Sequence, residues 1–293
     1  MEVTLLNVVD NTVLIESDFI PSNGLSFLIE FNDRKILFDA GDNGNILIHH
    51  MILLNIDPSD IDLLILSHGH WDHTKGIRAL LYHRETDEKL RIIAHPHAYR
   101  RRRFAKFLTR TNLLLKHRTY NMGFPKLSKK LLDMVILDST TEPYEIAPFL
   151  RTTGEISDRK EITSTSDKLK MKEGRRYVED FQLDDLSLIL KTKEGIVIIL
   201  GCGHSGVLNI CAKAKEFYPK EKIKSIIGGT HLIALTEEKD LEYVAKNLEE
   251  KYDRPFLYFS HCTGKRALDF LTKRFGKDIV KPFMVGDKLT FEC

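Results

Sequence analysis

Several apolar segments of strand length in this chain end directly at a histidine in a turn that contains glycine. The run IDLLILS stops at His68, GIVIILG leads to His204, IKSIIGG to His231 and PFLYFS to His261. Continuous apolar runs are typical of strands buried on both faces, and loops at strand ends present functional side chains. The pattern predicts a sheet-rich α/β core with histidines along one rim. A single histidine at such a place is more often structural than ligating, so it is their number that favours a shared site.

The densest group of candidate ligands is LSHGHWDHTKG, residues 66–76, which follows a buried strand and precedes a helix. Side chains alternate in an extended loop, so His68 and His70 are predicted to converge on one ion, while Asp72 and His73 turn towards a second. Imidazole with carboxylate suits zinc; manganese, iron and magnesium are alternatives. A polar loop that happens to contain three histidines is the alternative without function. The sequence leaves open whether one ion or two are bound.

Composition and net charge do not by themselves indicate a nucleic-acid or membrane partner. The chain has 293 residues, 42% of them apolar, which is enough for one large α/β domain or two smaller ones, and its formal net charge is +2. No apolar stretch approaches the about 18 residues that a membrane span requires, and the first residues lack the features of a signal peptide. The four cysteines show no CxxC or framework spacing. We therefore expect a cytoplasmic protein without a membrane partner, with homo-oligomers left open.

The predicted elements divide the chain into strands, a basic stretch and strand–helix alternation. Residues 1–40 are predicted to form strands at VTLLNVV, TVLIES, LSFLIEF and KILFD. Residues 98–180 are predicted to be a basic and polar insertion, a lid or substrate-binding subdomain. Eleven Lys/Arg and no acidic residue occur between Arg100 and Lys130. We predict one domain, residues 1–293, with a two-layered β core, helices outside and this insertion within it.

The HxHxDH pattern of residues 68–73 resembles the signature of the metallo-β-lactamase superfamily, which implies an α/β fold of the αββα sandwich type. Upstream, FDAG (Phe38–Gly41) resembles the superfamily's first motif, so Asp39 would orient a ligand imidazole from behind the metal ligands. Alone, an aspartate after a strand is ordinary turn chemistry. The superfamily usually continues with DHxGG, and Lys75 here replaces the first glycine, which changes the backbone freedom of the loop.

The same resemblance implies roles for the later strand ends. His261 lies where the last ligand histidine of the superfamily falls. Cys202 occupies the place of the usual bridging aspartate and is expected to support the ligands from behind, without binding the metal itself. His204 is the candidate for a ligand that is otherwise missing. This departure leaves open a second ion that is weakly held or absent. Asp72 and His231 are the catalytic candidates, with a supporting role as the alternative for His231. The predicted metal ligands are His68, His70, Asp72, His73, His204 and His261.

Three further residues are predicted to contact substrate. Arg100 and Arg101 belong to a run of four arginines, and guanidinium groups bind phosphate through paired hydrogen bonds better than lysine does. A solvated helix face is the alternative, and a track for nucleic acid is another. His95 follows the strand RIIAHP; Pro96 fixes a turn there, so a structural role is its alternative. We expect a phosphorylated small molecule as the partner and no nucleic acid.

The resemblance extends over nearly the whole chain to one branch of the superfamily. Its segments are NGLSFLIE, KILFDAGD, LSHGHWDHTKG, AHPHA, TTGEI, GIVIILGCGHSGVLNI, GGTHL and SHCTG. This branch contains archaeal dihydropterin-6-ylmethyl-ribofuranosylaminobenzene 5′-phosphate synthases and uncharacterised relatives. The resemblance implies a transferase that joins hydroxymethyl-dihydropterin diphosphate to an aminobenzene ribose phosphate in methanopterin-type biosynthesis. A metal-dependent phosphoesterase is the alternative, because the same ligands serve hydrolysis; a nuclease and a non-enzymatic relic are the others.

Overall fold

The computed structural model describes residues 1–100, 102–105, 119–165 and 169–293. In these ranges the strands are β1 (Glu2–Val9), β2 (Ser26–Phe31), β3 (Arg34–Phe38), β4 (Leu63–Ile65), β5 (Leu90–Ala94), β6 (Arg102–Ala105), β7 (Thr119–Asn121), β8 (Val135–Ser139), β9 (Glu145–Ala147), β10 (Leu150–Thr152), β11 (Leu169–Glu173), β12 (Arg176–Glu179), β13 (Ser187–Thr192), β14 (Gly195–Leu200), β15 (Ile223–Gly228), β16 (Phe256–Phe259) and β17 (Lys288–Glu292). The α-helices in the same ranges are α1 (Gly44–Leu53), α2 (Trp71–Thr74), α3 (Ile77–Tyr82), α4 (Lys129–Asp133), α5 (Val207–Phe217), α6 (Glu238–Glu250) and α7 (Lys265–Phe275). Short 3₁₀ helices cover Pro58–Asp60, Pro96–Tyr99, Leu232–Ala234 and His261–Thr263.

The first large sheet contains the amino-terminal strands in the order β17-β1-β2-β3-β4-β5-β8. Strands β1, β2, β3 and β17 pair antiparallel, whereas β3, β4, β5 and β8 run parallel. The β2–β3 hairpin turns at Asn32, which adopts a positive φ of 50°, as asparagine tolerates. Because β3 and β4 are parallel, Asp39 and the histidines after β4 emerge at the same edge.

The predicted strand TVLIES is wrong. Val13 makes a single bridge to Val285, and the following residues form a turn in which the Ser17 amide donates to the Leu14 carbonyl. The side chain of Ile15 is 93% exposed, so this apolar segment has no opposing layer to bury it. This apolar run therefore lacked the tertiary partner that a strand requires.

The second large sheet has the order β16-β15-β14-β13-β10-β9. Strands β13 and β14 form the predicted hairpin, with Thr192 paired to Gly195. Strands β14, β15 and β16 are parallel, with helices α5 and α6 as the crossovers between them. Their carboxyl ends therefore lie along one edge, which is where GCGH, GGTH and SH follow in the sequence.

The two large sheets pack face to face, and helices cover their outer faces. The inner core joins Phe27 and Ile29 of the first sheet to Leu188 and Ile199 of the second, all buried. Helices α1 and α3 pack on the first sheet, and helices α5, α6 and α7 pack on the second. This confirms the predicted α/β fold, an αββα sandwich. Within the described ranges, no helix is both long and apolar enough to cross a membrane.

A small third sheet, in the order β12-β11-β6-β7, comes from the predicted insertion 98–180. Other strands of that range belong to the sandwich itself and not to an insertion: β8 joins the first large sheet, and β9 and β10 join the second. The layer outside the sandwich is therefore smaller than residues 98–180. Arg101 and much of the basic run, residues 106–118, lie outside the described residues.

Candidate metal centre

The histidine-bearing turns meet at one rim of the sandwich. His68 follows β4, and His204, His231 and His261 follow β14, β15 and β16. The ring centroids of His68 and His204 lie 4.8 Å apart, those of His204 and His231 4.5 Å, and those of His73 and His261 5.1 Å. Residues up to 193 positions apart in the chain, from His68 to His261, thus form one cluster.

The HGHWDH segment presents its side chains in two ways. His68 follows β4, His70 lies on extended backbone, and His68 Nε2 lies 2.8 Å from His70 Nδ1. The four-residue helix α2 then begins at Trp71, so Asp72 and His73 are carried on a helical turn. His73 Nε2 lies 3.8 Å from Asp72 Oδ2. The structure therefore brings the four residues of the predicted motif together through a strand end and a short helix.

Two sets of donor atoms in the described residues are arranged closely enough to hold a metal ion. One comprises Asp72, His73, Cys202 and His261, and the other comprises His68, Cys202 and His204; within each set the donor atoms lie within 4.8 Å of one another. Cys202 belongs to both. The sequence predicts that Cys202 supports a ligand from behind. In the structure its sulfur instead lies among the donor atoms themselves. His70 lies beside the second set, with its ring centroid 5.0 Å from that of His204.

Asp39 and Ser67 fix the orientation of two ligand candidates. Asp39 Oδ1 accepts from the Ser67 amide at 2.7 Å, and its Oδ2 accepts from the Ser67 hydroxyl and from His73 Nδ1, both at 2.6 Å. The Ser67 hydroxyl proton is thereby committed to Asp39, so Ser67 Oγ accepts from His68 Nδ1 at 2.9 Å. Because the Nδ1 atom of each ring is directed at these oxygens, both imidazoles present Nε2 as the atom available to a metal.

The segment before β13 joins the two loops that carry His68 and His204. Asp184 Oδ2 accepts from the Gly69 amide at 2.8 Å, and Asp185 Oδ2 accepts from the Ser205 amide at 2.8 Å. The Leu186 amide donates to the Ser67 carbonyl at 2.7 Å. Since these contacts connect the two sheets at the rim, they fix the position of the two loops relative to each other.

Electrostatics at the rim favour a cation. Burial alone would lower the pKa of His73, but the carboxylates of Asp39 and Asp72 outweigh it and raise that pKa to about 9. Burial lowers the pKa of His261 well below its usual value, with His73 adding to the effect. Burial also raises the pKa values of Asp72 and of the Cys202 thiol. A bound divalent ion would oppose the effect of burial on Asp72 and Cys202, because it stabilises the deprotonated form of a ligand. For His261, burial and metal binding both favour the neutral imidazole.

The donor chemistry fits a divalent metal. Imidazole nitrogens, a carboxylate and a thiol converge, which is the ligand set that zinc and similar ions take. His261 Nε2 is buried without a hydrogen-bond partner among the described residues, and lies 3.7 Å from Asp72 Oδ2. A buried acceptor of this kind is costly unless something satisfies it.

A cavity of about 370 Å³ opens onto the cluster. His70, Asp72, Cys202, His204, His231 and His261 contribute to its walls. Apolar side chains from elsewhere complete it, among them Trp71 and Ile233, and also Met122 and Leu169 from the predicted insertion. The volume lies in the range of pockets that bind small molecules.

Two of the predicted substrate residues, His95 and Arg100, are not among the residues that line this cavity. His95 is buried; its Nε2 lies 2.9 Å from Glu155 Oε2, and its Nδ1 accepts from the His97 amide at 3.1 Å. Both ring nitrogens are thus engaged in holding a turn. Arg100 Nη1 lies 2.9 Å from Glu173 Oε1 in the third sheet. Contact of substrate with His95 or Arg100 stays a prediction, and Arg101 lies outside the described residues.

Lys75 explains how the motif tolerates the loss of its first glycine. Its φ of −65° and ψ of −30° are ordinary helical values, so no glycine is required there. Gly76 differs, because a β-carbon at that position would lie 1.8 Å from the Ala40 carbonyl oxygen. The glycine that the packing requires is therefore the one that the chain retains.

Sequence analysis missed several residues of the site. Asn11 Oδ1 accepts from His261 Nδ1 at 2.8 Å, and Ser67, Asp184 and Asp185 make the contacts described above. A signal was present, because Asp10 and Asn11 follow β1 directly, as the histidines follow their strands. Applying the strand-end rule to carboxylates and amides as well as histidines would have identified Asn11.

Comparison with known proteins identifies the family. The Metallo-beta-lactamase superfamily profile matches residues 20–133. A Methanocaldococcus jannaschii protein named 7,8-dihydropterin-6-methyl-4-(β-D-ribofuranosyl)-aminobenzene-5′-phosphate synthase is 31% identical over 270 residues, which is 89% of this chain and 88% of that protein. The chain belongs to the metallo-β-lactamase superfamily. The predicted branch is confirmed as well, since this synthase is similar to almost the whole chain.

Two further similarities extend the result. Uncharacterized protein MJ0448 of the same organism is 29% identical over 267 residues, 91% of this chain and 93% of that protein. The solved structure of Tm1679, titled a metal-dependent hydrolase of the β-lactamase superfamily, has a TM-score of 0.79 at 23% identity and covers 98% of both chains. This second similarity supports the fold. The chain is thus a metallo-β-lactamase-superfamily enzyme, and its His/Asp/Cys cluster is a suitable site for the divalent metal that this fold implies.

Proposed function

We propose that this protein is a metal-dependent transferase that joins hydroxymethyl-dihydropterin diphosphate to an aminobenzene ribose phosphate and releases diphosphate. The observation that carries the proposal is the 31% identity to the M. jannaschii synthase across 89% of the chain. A match of 270 residues is too long to be confined to the segment that carries the motif at residues 66–76. A shared ligand set alone would favour no particular reaction within the superfamily.

The proposed metal ligands lie around the rim cluster, and zinc is the proposed ion. A divalent ion bound here would act as a Lewis acid, stabilising the negative charge of a departing diphosphate. The chain's own contribution is to hold the imidazoles with Nε2 inward, through Asp39, Ser67 and Asn11. The ligands assigned by this proposal are His68, His70, Asp72, His73, His204 and His261.

The cavity supplies the substrate environment. Its Trp71, Ile233 and Met122 side chains offer apolar surface to a planar ring, and excluding water from the reacting carbon suppresses hydrolysis. His231 lines the same cavity, where its imidazole can accept the proton that the attacking arylamine loses. Met122 and Leu169 come from residues 98–180, which supports a role of that range as a substrate-binding wall.

The decisive experiment supplies both substrates to the metal-loaded enzyme. We expect the coupled pterin–arylamine product, with formation of diphosphate that depends on the arylamine. Diphosphate or phosphate release at the same rate without the amine, with free hydroxymethylpterin as product, would instead establish a hydrolase on the same site. No turnover of either kind by a fully metal-loaded protein would reject both substrates.

The ligand assignment has its own test in His70→Ala. We expect this variant to lose bound metal and activity together, because His70 adjoins His68 and His204 at ring distances of 4.4 Å and 5.0 Å. Metal analysis of the purified variant provides the measurement. His83→Ala, at an exposed histidine whose Nδ1 contacts the Ala79 carbonyl in α3, is the matched control and should retain its metal. Full metal content in His70→Ala would contradict the assignment.

A further inference from the structure

We propose that the Cys202 thiolate is shared between two metal ions and bridges them. This inference rests on the proposed function only in assuming a metal centre at the rim, and it does not depend on which substrate is used. Its basis is that the two sets of donor atoms, Asp72–His73–Cys202–His261 and His68–Cys202–His204, have the Cys202 sulfur in common. One atom that lies within reach of both sets is positioned to serve both ions.

Coordination arithmetic supports a shared sulfur. The first set offers two imidazoles, one carboxylate and the sulfur, which makes four donors, the number that zinc prefers. The second set offers His68, His204 and the sulfur, and His70 lies beside it as a fourth donor. If the sulfur belonged to one set alone, the other would be one donor short. Two ions each about 2.3 Å from one sulfur lie no more than about 4.6 Å apart, which includes the about 3.5–4 Å of two-metal sites.

The surroundings of Cys202 differ from those of a structural cysteine. Cys211, in helix α5, is buried within the apolar layer between the second sheet and its helices. Cys202 is also buried, but its sulfur lies 3.1 Å from His73 Nε2. Cys202 also has Gly201 and Gly203 on either side, and a φ of 61° at Gly203 turns the chain sharply at the end of β14. This turn directs a buried thiol at the imidazoles instead of into the core.

Cys262 provides a matched comparison within the same cavity. Its sulfur accepts from the His231 amide at 3.2 Å and lies 3.7 Å from the Cys202 carbonyl oxygen, to which it donates. It lines the same cavity as Cys202. Among the described residues, however, neither donor set contains Cys262. The two thiols therefore share an environment and differ in the property that the proposal depends on.

Binding through sulfur has a defined proton balance and metal preference. The thiol S–H bond breaks as two sulfur–metal bonds form, and one proton per Cys202 passes to solvent. A thiolate favours zinc, cobalt and cadmium over magnesium and manganese, which prefer oxygen ligands. In metal competition with the unaltered chain, zinc, cobalt and cadmium should therefore each displace magnesium and manganese.

The test uses the cobalt-substituted full-length protein, because a cobalt–thiolate bond gives a charge-transfer absorption in the near ultraviolet. We expect this band, with two ions per chain, in the unaltered protein and in Cys262→Ser. Cys202→Ser should lose the band and bind at most one ion per chain. Cys202→Asp should lose the band but recover the second ion, because a carboxylate can also bridge.

Several results would overturn the proposal. These are a band that persists in Cys202→Ser, a band that is lost in Cys262→Ser, or a single ion in the unaltered protein. Should Cys202→Ser fail to fold, X-ray absorption of the zinc-loaded unaltered protein decides, since it must show a sulfur neighbour at about 2.3 Å for both ions. If the protein binds two ions and shows the band but catalyses no pterin coupling, the proposed function is rejected and the proposal of a bridging Cys202 stands. A protein that binds no metal would reject both.

Discussion

The buried carboxylate of Asp39 offers the sharpest test of how this site prepares its ligands. Asparagine is the appropriate replacement, because it has the same shape and tolerates the positive φ of 64° at this position, whereas alanine would add backbone strain. Asp39→Asn therefore removes the negative charge and changes the hydrogen bonding without changing the shape of the side chain. Three donors converge on the carboxylate, namely the Ser67 amide, the Ser67 hydroxyl and His73 Nδ1.

The expected magnitude follows from what an amide can accept. Its oxygen can serve the Ser67 amide, but its NH₂ group then faces His73 Nδ1, which also donates. The two charge-assisted hydrogen bonds that Oδ2 accepts, from the Ser67 hydroxyl and from His73 Nδ1, are lost at about 1.5–3 kcal/mol each, unless His73 exchanges tautomers and accepts a hydrogen bond from the new amide. In that tautomer Nε2 carries the proton and cannot bind a metal. Either outcome weakens metal binding, by about 10- to 100-fold or about 1.4–2.8 kcal/mol.

The assay is a competition titration of zinc against a chelator, with far-ultraviolet circular dichroism to verify folding. Asp62→Asn is the matched control, since Asp62 Oδ2 also accepts a backbone amide, that of Lys35 at 2.7 Å, but at an exposed position of the same sheet. We expect the control to bind zinc as the unaltered chain does. An Asp39→Asn variant that is folded and has unaltered zinc affinity would refute the account of how His73 is oriented.

Three further predictions concern stability, each measured by urea denaturation. Gly201→Ala should lower the free energy of unfolding by about 1–3 kcal/mol, because its β-carbon would lie 2.1 Å from Ser67 Oγ; an unchanged midpoint would contradict this. Lys75→Gly should cost about 1–2 kcal/mol at a helical position, where the ammonium also lies over the Trp71 ring, yet leave metal content intact; a gain in stability would show that the loop favours the glycine. Phe27→Ala should cost about 3–5 kcal/mol, because the ring is fully buried between the sheets; a loss below about 1 kcal/mol would show that the inter-sheet core is not tightly packed there.

The sequence by itself determined which segments form strands and what chemistry stands at their ends. The strands that precede His68, His204 and His261 are continuous apolar runs. A run of that kind predicts a strand that is buried on both faces. The order of these elements predicted a two-layered β core with helices outside, and the resemblance carried by the HxHxDH motif implied the αββα type. The local pattern gave a wrong prediction at TVLIES, because its short apolar run is typical of a strand but no neighbouring layer buries Ile15.

Only the tertiary structure decided which side chains meet. Sheet order and register bring the turn after β14 against the turn after β4, and no local pattern encodes that distance. For this reason Cys202 was expected to act behind the ligands, whereas its sulfur lies within both donor sets. Ser67 and Asp184 were missed for the same reason: their roles depend on hydrogen bonds that form only when the chain folds. Residue type and strand ends are local properties of a chain, but the geometry of a site arises from contacts between segments far apart in sequence.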